Sequence, residues 1–308
     1  MTVKLGKLLK GLFGILVVTA GAALSTMSWA AGDLPTKFTN RGSVANTRHN
    51  LSQRVAGLNS GAMDPYRNDY AEVCVYCHTP HGANSNLPLP LWNRTIKATT
   101  YVTYAQLGTA SLTQTVVQPG ANSLACLSCH DGQVAVDSVI NMPGSGGYNK
   151  AQSGSQSDSF LNAWNNPSGN NATDSHMGLN SQDGCLVCHA PGSAVGRTAT
   201  DFTVFAIGTD LRNDHPVGVH FPTGLAATDF KPPNGVRPDV SWFDKDGDAR
   251  PDSTEVRLYN YGEGPMVECA SCHDPHGVPT AGTGSQFNPT FLRIANTGSA
   301  LCLTCHTK

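Results

Sequence analysis

All ten cysteines of this chain fall into one repeated pattern, Cys-X-X-Cys-His, which occurs five times. Two thiols separated by two residues can form thioether bonds to the two vinyl groups of one haem, and the adjacent histidine then reaches the iron. The pattern predicts five c-type haems, numbered here 1 to 5 in chain order. The attaching cysteines are Cys74, Cys77, Cys126, Cys129, Cys185, Cys188, Cys269, Cys272, Cys302 and Cys305, and the proximal iron ligands are His78, His130, His189, His273 and His306.

Other chemistry is open to pairs of cysteines at this spacing. Zinc sites typically combine two such pairs, and a single pair can form a disulfide or a redox-active dithiol. None of these sites requires a histidine directly after the second cysteine, whereas all five copies have one and no cysteine remains outside them. Haem attachment is therefore the favoured interpretation.

The first thirty residues resemble a secretory signal peptide. Lys4, Lys7 and Lys10 precede an apolar run over Gly11–Leu24, and small residues surround Ala30. The apolar run is shorter than the roughly 20 residues that a membrane span needs, so a retained anchor is the less favoured alternative. We expect an exported protein, at the outer cell surface or beyond, alternatively in the periplasm, with no membrane span after cleavage.

The composition argues against a conventional hydrophobic core. The chain has 32 Gly, 19 Pro and only 7% aromatic residues, and no long periodic segment follows the signal peptide. The fold class predicted is a multihaem cytochrome c with low regular secondary structure, short helices at the motifs and few short strands. Its core would form around covalently bound haems. The net charge of −2 argues against nucleic acid as a partner and suits docking to basic redox proteins.

An internal repeat organises the chain. Residues 74–82 read Cys-Val-Tyr-Cys-His-Thr-Pro-His-Gly and residues 269–277 read Cys-Ala-Ser-Cys-His-Asp-Pro-His-Gly. A plain motif follows each copy, so haems 1 and 2 form one predicted pair and haems 4 and 5 another. The predicted divisions are a signal peptide over 1–30, the first pair over 31–140, a Gly/Ser/Asn-rich segment with haem 3 over 141–200, and the second pair over 201–308.

Six histidines lie outside the motifs, and they are the candidates for the second axial position of each iron. His81 and His276 lie three residues beyond a motif histidine, too close to reach the other face of the same haem. Each is therefore predicted to ligate a neighbouring haem. His49, His176 and His215 precede haems 1, 3 and 4 and complete a set of five.

Five such ligands predict low-spin irons of low potential, each held by two histidines, and leave His220 over. His215 and His220 are close enough in sequence to exchange roles. A methionine is the alternative ligand, with Met177 the best placed among Met63, Met142, Met177 and Met266.

An acidic loop precedes haem 4. Its acids occupy positions 1, 3, 5, 9 and 12 of a twelve-residue segment, the positions at which an EF-hand loop binds calcium. Ala249 stands where that loop has glycine, so a different turn is expected, and a solvated acidic turn is the alternative. The predicted ligands are Asp244, Asp246, Asp248, Asp252 and Glu255.

The Cys-X-X-Cys-His-X-Pro-His-Gly elements, each followed by a plain motif, resemble the doubled-CxxCH multihaem cytochromes c of respiratory, often metal-reducing, bacteria. Sparse haem spacing and low secondary structure are similar to those of extracellular cytochromes that polymerise into haem-wired filaments. The resemblance implies electron transfer, without enzyme activity, to redox proteins, to extracellular acceptors or between copies of the chain. In such filaments a histidine of one subunit can ligate a haem of the next, and His49 is the predicted bridge. The alternative is a reductase resembling pentahaem nitrite reductases, with one open haem; that family typically has a Cys-X-X-Cys-Lys motif, which this chain lacks.

Overall fold

In the computed structural model the described residues are 38–52, 70, 72–141, 177–180, 184–194, 199–223 and 229–307. The predicted signal peptide, His176, Met63, Met142 and most of the Gly/Ser/Asn-rich segment lie outside them. Within these ranges, no helix has the length and apolar character needed to cross a membrane.

Helical structure in the described residues is short and concentrates at the motifs. The α-helices are α1 (Ala121–His130), α2 (Cys269–Cys272) and α3 (Cys302–Cys305). Single 3₁₀ turns include Cys74–Tyr76 and Cys185–Val187 at the two remaining motifs. Further 3₁₀ turns are Val44–Asn46, Tyr104–Leu107, Thr203–Phe205, Pro289–Phe291 and Thr297–Ser299. The predicted low content of regular structure is confirmed.

A helical turn at each motif has a direct chemical consequence. The backbone N–H of His78 donates to the Cys74 carbonyl at 2.8 Å, and His189, His273 and His306 make the same bond to the first cysteine of their motifs. Residues three and four apart lie on one face of a helix. Both cysteines and the histidine therefore face the same side of the backbone, as attachment to a single haem requires.

One antiparallel sheet lies in the C-terminal half. Its strands are β1 (Val219–His220), β2 (Gly235–Val236), β3 (Val240–Trp242), β4 (Arg257–Asn260) and β5 (Pro265–Val267), in the spatial order β1-β5-β4-β3-β2. Valines and aromatic residues favour these extended segments. Gly235 pairs with Trp242, and a Cβ at Gly235 would lie 2.0 Å from the Trp242 ring, so only glycine fits there.

The apolar core is divided into three small clusters. One lies behind motif 1, a second lies beside α1, and a third lies beside the sheet near motif 5. Each places a few side chains against a motif, which agrees with a chain too poor in apolar residues for one continuous core. Their buried members are Tyr70, Val75, Tyr76 and Val139; Tyr101, Leu127, Leu211 and Val217; and Phe221, Phe243, Val256 and Leu258.

A buried carboxyl group joins the two halves of the chain. Glu268, which is 1% exposed, accepts hydrogen bonds from the Gly120 N–H at 3.0 Å and from the Ser123 hydroxyl. These donors lie at the start of α1, where backbone N–H groups have no partner within the helix. Burial raises the pKa of Glu268 to about 7, although both hydrogen bonds act to lower it. The segment that carries motif 4 is thereby fixed against the helix that carries motif 2.

Arg94 is the best-satisfied buried cation of the described residues. Its guanidinium is 1% exposed and donates to Ser128 Oγ at 3.1 Å. Four backbone carbonyls accept its remaining hydrogen bonds, at 2.8 to 2.9 Å, in residues Ser128, Ala135, Val136 and Ser138. It therefore ties the segment after motif 1 to motif 2 and to the loop beyond it.

We expect Arg94→Met to destabilise the haem-loaded protein by about 3 kcal/mol, since each buried acceptor left without a donor costs about 1–3 kcal/mol. Thermal unfolding followed by circular dichroism measures the effect. Arg212→Met is the control, because Arg212 is exposed and pairs only with Asp210. Equal midpoints for the two variants would contradict the role given to Arg94.

Candidate haem-binding sites

The two nine-residue elements have six identical residues, and the structure shows that the similarity continues beyond them. After motifs 1 and 4 the chain returns across its own motif, forming a bridge between His78 and Trp92 in one copy and between His273 and Leu292 in the other. We call residues 90–93 and 290–293 the return segments. Leu91 and Phe291, at φ of 51° and 61°, turn each of them. This similarity is not visible in the sequence, because the two return segments have no identical residue at equivalent positions.

Each return segment fixes the histidine of its motif. His78 Nδ1 lies 2.8 Å from the Pro90 carbonyl oxygen, and His273 Nδ1 lies 2.7 Å from that of Thr290. A carbonyl oxygen only accepts, so Nδ1 carries the proton and Nε2 keeps its lone pair. The structure thus fixes both rings in the tautomer that ligates a metal through Nε2.

Motifs 2 and 3 reach the same arrangement with different partners. His130 Nδ1 lies 2.6 Å from the Phe205 carbonyl oxygen, and His189 Nδ1 lies 2.7 Å from that of Thr200. The Phe202 ring stacks on His189 with centroids 3.9 Å apart. Burial lowers the pKa of His130 and of His273, which favours their neutral, metal-binding form. These donor sets fit haem iron.

His276 faces the histidine of motif 1. Their ring centroids are 6.2 Å apart and their planes differ by 11°. Two imidazoles on opposite sides of one metal, each with its nitrogen about 2 Å from the metal, have centroids about 6 Å apart. The two rings therefore have the separation of axial ligands to a single iron. A histidine of the second repeat thus lies opposite the motif histidine of the first.

His49 faces the histidine of motif 2 at the same spacing. The ring centroids of His49 and His130 are 6.3 Å apart and their planes differ by 78°. His49 Nδ1 lies 3.1 Å from the Pro275 carbonyl oxygen, and its ring stacks on Phe291 at 4.6 Å. Burial lowers the pKa of His49 to about 4, so its imidazole is neutral at pH 7. His49 thus faces the motif histidine His130 of its own chain.

The remaining histidines lie in different environments. His215 lies close enough to His273 for a positive charge on His215 to lower the pKa of His273, an effect smaller than that of burial. His81 is exposed at the surface. His220 Nε2 lies 3.8 Å from a carboxylate oxygen of Glu263. The His306 ring packs against Phe230 with centroids 4.7 Å apart, and among the described residues no second histidine ring contacts it.

The two described methionines take structural positions. Met266 is buried in β5, at 3% exposure, where it pairs with Tyr259. The carbonyl of Met177 accepts a hydrogen bond from the Val136 N–H at 3.1 Å.

The ten cysteines are free thiols, and some of them bring different motifs together. The Cys126 and Cys269 side chains lie close together, and the backbone N–H of Cys269 donates to Ser123 Oγ at 2.9 Å, so motifs 2 and 4 are in direct contact. Cys77 lies near Cys129, which joins motifs 1 and 2, and Cys272 lies near Cys305, which joins motifs 4 and 5. In the cofactor-loaded protein these sulfurs would be thioethers. The motifs thus follow the spatial order 1, 2, 4, 5, with contact between the two predicted pairs.

The acidic loop brings its five acids together. Carboxylate oxygens of Asp244, Asp246 and Glu255 lie within 4.8 Å of one another, and so do those of Asp246, Asp248 and Asp252. Ala249 has φ of 60°, the left-handed conformation for which an EF-hand uses glycine. Asp244 accepts hydrogen bonds from the N–H groups of Gly247 and Ala249. The loop therefore turns around Asp246, which belongs to both groups.

Asp274 is a residue near the haem positions that the sequence analysis passed over. Its Oδ1 lies 3.0 Å from His276 Nδ1, and its Oδ2 accepts a hydrogen bond from Arg293 at 3.1 Å. Burial would raise the pKa of Asp274, but these two partners hold it at about 2. The hydrogen bond that His276 Nδ1 donates to Asp274 in turn raises the pKa of His276. The sequence signal was present, since Asp274 replaces the Thr79 of the first repeat.

Comparison with known proteins agrees with this geometry over part of the chain. A search of curated proteins found no match. The family model of the doubled CXXCH motif matches residues 263–308, which contain motifs 4 and 5. The match covers the second repeat and its plain motif, and it supports a haem-binding, electron-transferring multihaem cytochrome c.

Proposed function

We propose that this chain carries electrons along five c-type haems whose irons are each held by two histidines. The observation that carries the proposal is the spacing of the His78–His276 and His49–His130 pairs, 6.2 and 6.3 Å between centroids. The four rings come from widely separated segments, yet each pair has the separation required for one iron. Iron with both axial positions filled by protein has no site for substrate, which favours electron transfer over catalysis.

The bound haems would supply a reversible one-electron iron couple. The chain's own residues keep each iron in one coordination state. Backbone carbonyls at Pro90, Phe205 and Thr290 hold the proximal rings, and Pro275 holds His49. Rings held in this way need little rearrangement when the iron gains or loses an electron. Haems bound at motifs 1, 2, 4 and 5 would lie near one another, because these motifs are in contact.

A filament is the assembly that we propose for this electron carrier. His49 faces its own chain, so it is a poor bridge between subunits. Its place is taken in this proposal by His81, which is exposed and follows motif 1. We propose that His81 of one copy ligates the haem held by His306 of the next. In a single copy, that haem would then be the one with an open position.

The acidic loop is proposed to bind one Ca²⁺. Carboxylate oxygens are the ligands that Ca²⁺ prefers, and Asp246 contributes to both acidic groups. The Glu255 carboxylate is 1% exposed and accepts hydrogen bonds from the N–H groups of Lys245 and Asp252. Bound Ca²⁺ would fix the segment between β3 and β4, next to motif 4.

The two histidine pairs predict two kinds of electron paramagnetic resonance signal from the oxidised, haem-loaded protein. Near-parallel imidazoles give a rhombic low-spin signal, and near-perpendicular imidazoles give a strongly anisotropic one with a large principal g-value. His276→Met should remove the rhombic signal of haem 1, and His49→Met the anisotropic signal of haem 2. Wild-type spectra in which haem 1 or haem 2 is high-spin would contradict the proposal.

His81→Ala tests the filament. We expect loss of filaments in electron micrographs of the purified protein and the appearance of one haem in five that binds carbon monoxide. His220→Ala is the control and should change neither result. Filaments that persist in His81→Ala would exclude the proposed bridge. A haem that binds carbon monoxide in wild-type filaments, together with a reductase activity that His81→Ala leaves intact, would instead favour the enzyme.

Calcium binding is tested by titration calorimetry on the chelator-treated, haem-loaded protein. We expect one site, with Asp246→Asn weakening the affinity at least about tenfold, because Asp246 is shared between both acidic groups. Asp239→Asn, an exposed acid outside the loop, is the control. Absence of a calcium signal in the wild-type protein would show that the loop is a solvated turn.

A further inference from the structure

The duplicated repeats differ at one position that contacts an iron-ligand histidine. In each repeat the residue after the motif histidine is followed by Pro-His-Gly, and that residue is Thr79 in the first copy and Asp274 in the second. The Thr79 hydroxyl donates to the backbone carbonyl of His81 at 3.0 Å. Asp274 instead places a carboxylate oxygen 3.0 Å from His276 Nδ1. Only the second repeat thus has a negative charge, that of Asp274, beside its Pro-His-Gly histidine. This histidine, His276, faces His78 of the first repeat.

The hydrogen-bond partner distinguishes His276 from five of the other predicted ligand histidines. His49, His78, His130, His189 and His273 all have a backbone carbonyl at Nδ1. A carbonyl is neutral, whereas the Asp274 carboxylate carries a full charge and is only 13% exposed. A carboxylate on the far nitrogen of a ligating histidine increases the electron donation of that ligand. Such donation stabilises Fe(III) relative to Fe(II) and therefore lowers the reduction potential.

We propose that Asp274 is a positioning residue that acts through His276 to lower the reduction potential of haem 1. The proposal rests on the proposed function, because it requires His276 to ligate the haem held by His78. Haem 1 would then hold its electron less tightly than haem 2, whose two ligands both bond to carbonyls. Electrons would leave haem 1 towards haem 2, and this preference would be set by a residue that belongs to the motif of haem 4.

Arg293 limits the effect. Its guanidinium is 4% exposed, donates to Asp274 Oδ2 at 3.1 Å and also to the carbonyls of Ala270 and Ser253. The equivalent residue of the first repeat is Asn93, whose amide donates to the carbonyl of Val75, the counterpart of Ala270. The second repeat thus has both an acidic residue, Asp274, and a basic residue, Arg293, where the first has Thr79 and Asn93. Removal of the Arg293 charge alone should strengthen the influence of Asp274 on His276.

The test is a spectroelectrochemical titration of the full-length, haem-loaded protein, fitted with five one-electron components. We expect Asp274→Asn to raise the midpoint of one component by about 59 mV, the equivalent of a tenfold change in a one-electron equilibrium. His276→Met identifies the component, because thioether ligation raises the potential of the same haem. The low-spin signal assigned to haem 1 should shift in Asp274→Asn, while that of haem 2 stays unchanged.

Asp131→Asn is the matched control. Asp131 also follows a motif histidine directly and is 5% exposed, but its carboxylate accepts from the Tyr101 hydroxyl and the Gln133 N–H, both at 2.8 Å. It therefore lacks a bond to a ligand imidazole, and its loss should not move the haem 1 component. If Asp131→Asn moves that component as far as Asp274→Asn does, the effect does not pass through His276 and the proposal is overturned.

Arg293→Gln provides a second route if Asp274→Asn loses haem. It should lower the haem 1 midpoint, and a rise or no change would overturn the proposal. Pyridine haemochrome analysis and the wild-type resonance spectrum distinguish a failure of this inference from a failure of the proposed function. Five low-spin haems with a haem 1 midpoint that does not respond to Asp274 would remove this inference alone. Fewer than five haems, or a high-spin haem 1, would remove the proposed function as well.

Discussion

The separation of two facing imidazoles is the constraint on which most of this structure depends. A bis-histidine iron needs its two rings about 6 Å apart on opposite sides of the metal. The chain meets this requirement at motif 1 with a histidine 198 positions later in the sequence, and at motif 2 with one 81 positions earlier (His78 with His276, His130 with His49). The strands have only two to four residues and the apolar residues form three separate clusters, so side-chain contacts between distant segments carry much of the tertiary structure.

Closing such long loops costs conformational entropy, which short helices and a small sheet repay poorly. Covalent attachment of haem would change this balance, because two thioethers at a motif would already fix the cofactor to the chain. The buried polar groups then complete the interior. Arg94 donates hydrogen bonds to backbone carbonyls in and after motif 2, and Glu268 joins the start of α1 to motif 4. The core is thus polar at the places where a conventional domain would be apolar.

The sequence predicted what depends on local spacing and failed where distant segments meet. One helical turn per motif and the low content of regular structure follow directly from the spacing of the cysteines and from the abundance of Gly and Pro. The same reasoning predicted that His276 ligates a neighbouring haem but could not say which one. That choice depends on how the two repeats pack together, which local spacing and composition do not determine. It assigned His49 to a bridge between subunits, whereas the Pro275 carbonyl and the Phe291 ring hold this side chain beside His130. Both partners lie in the second repeat, far from His49 in sequence.

Divergence between the two repeats is more informative than their similarity. The return segments keep their backbone path, including a left-handed residue at Leu91 and Phe291, although their side chains differ almost throughout. Conserved geometry with altered charge is the expected result when a duplicated haem-binding unit retains its ligands but changes the electrostatic environment of each iron. The exchanges Thr79 to Asp274 and Asn93 to Arg293 introduce opposite charges in the second repeat, and their hydrogen bonds meet at the ring that faces His78. A charge pair in one repeat therefore lies beside a histidine whose ring faces the motif histidine of the other repeat, so the electrostatic environment of one repeat depends on the sequence of the other.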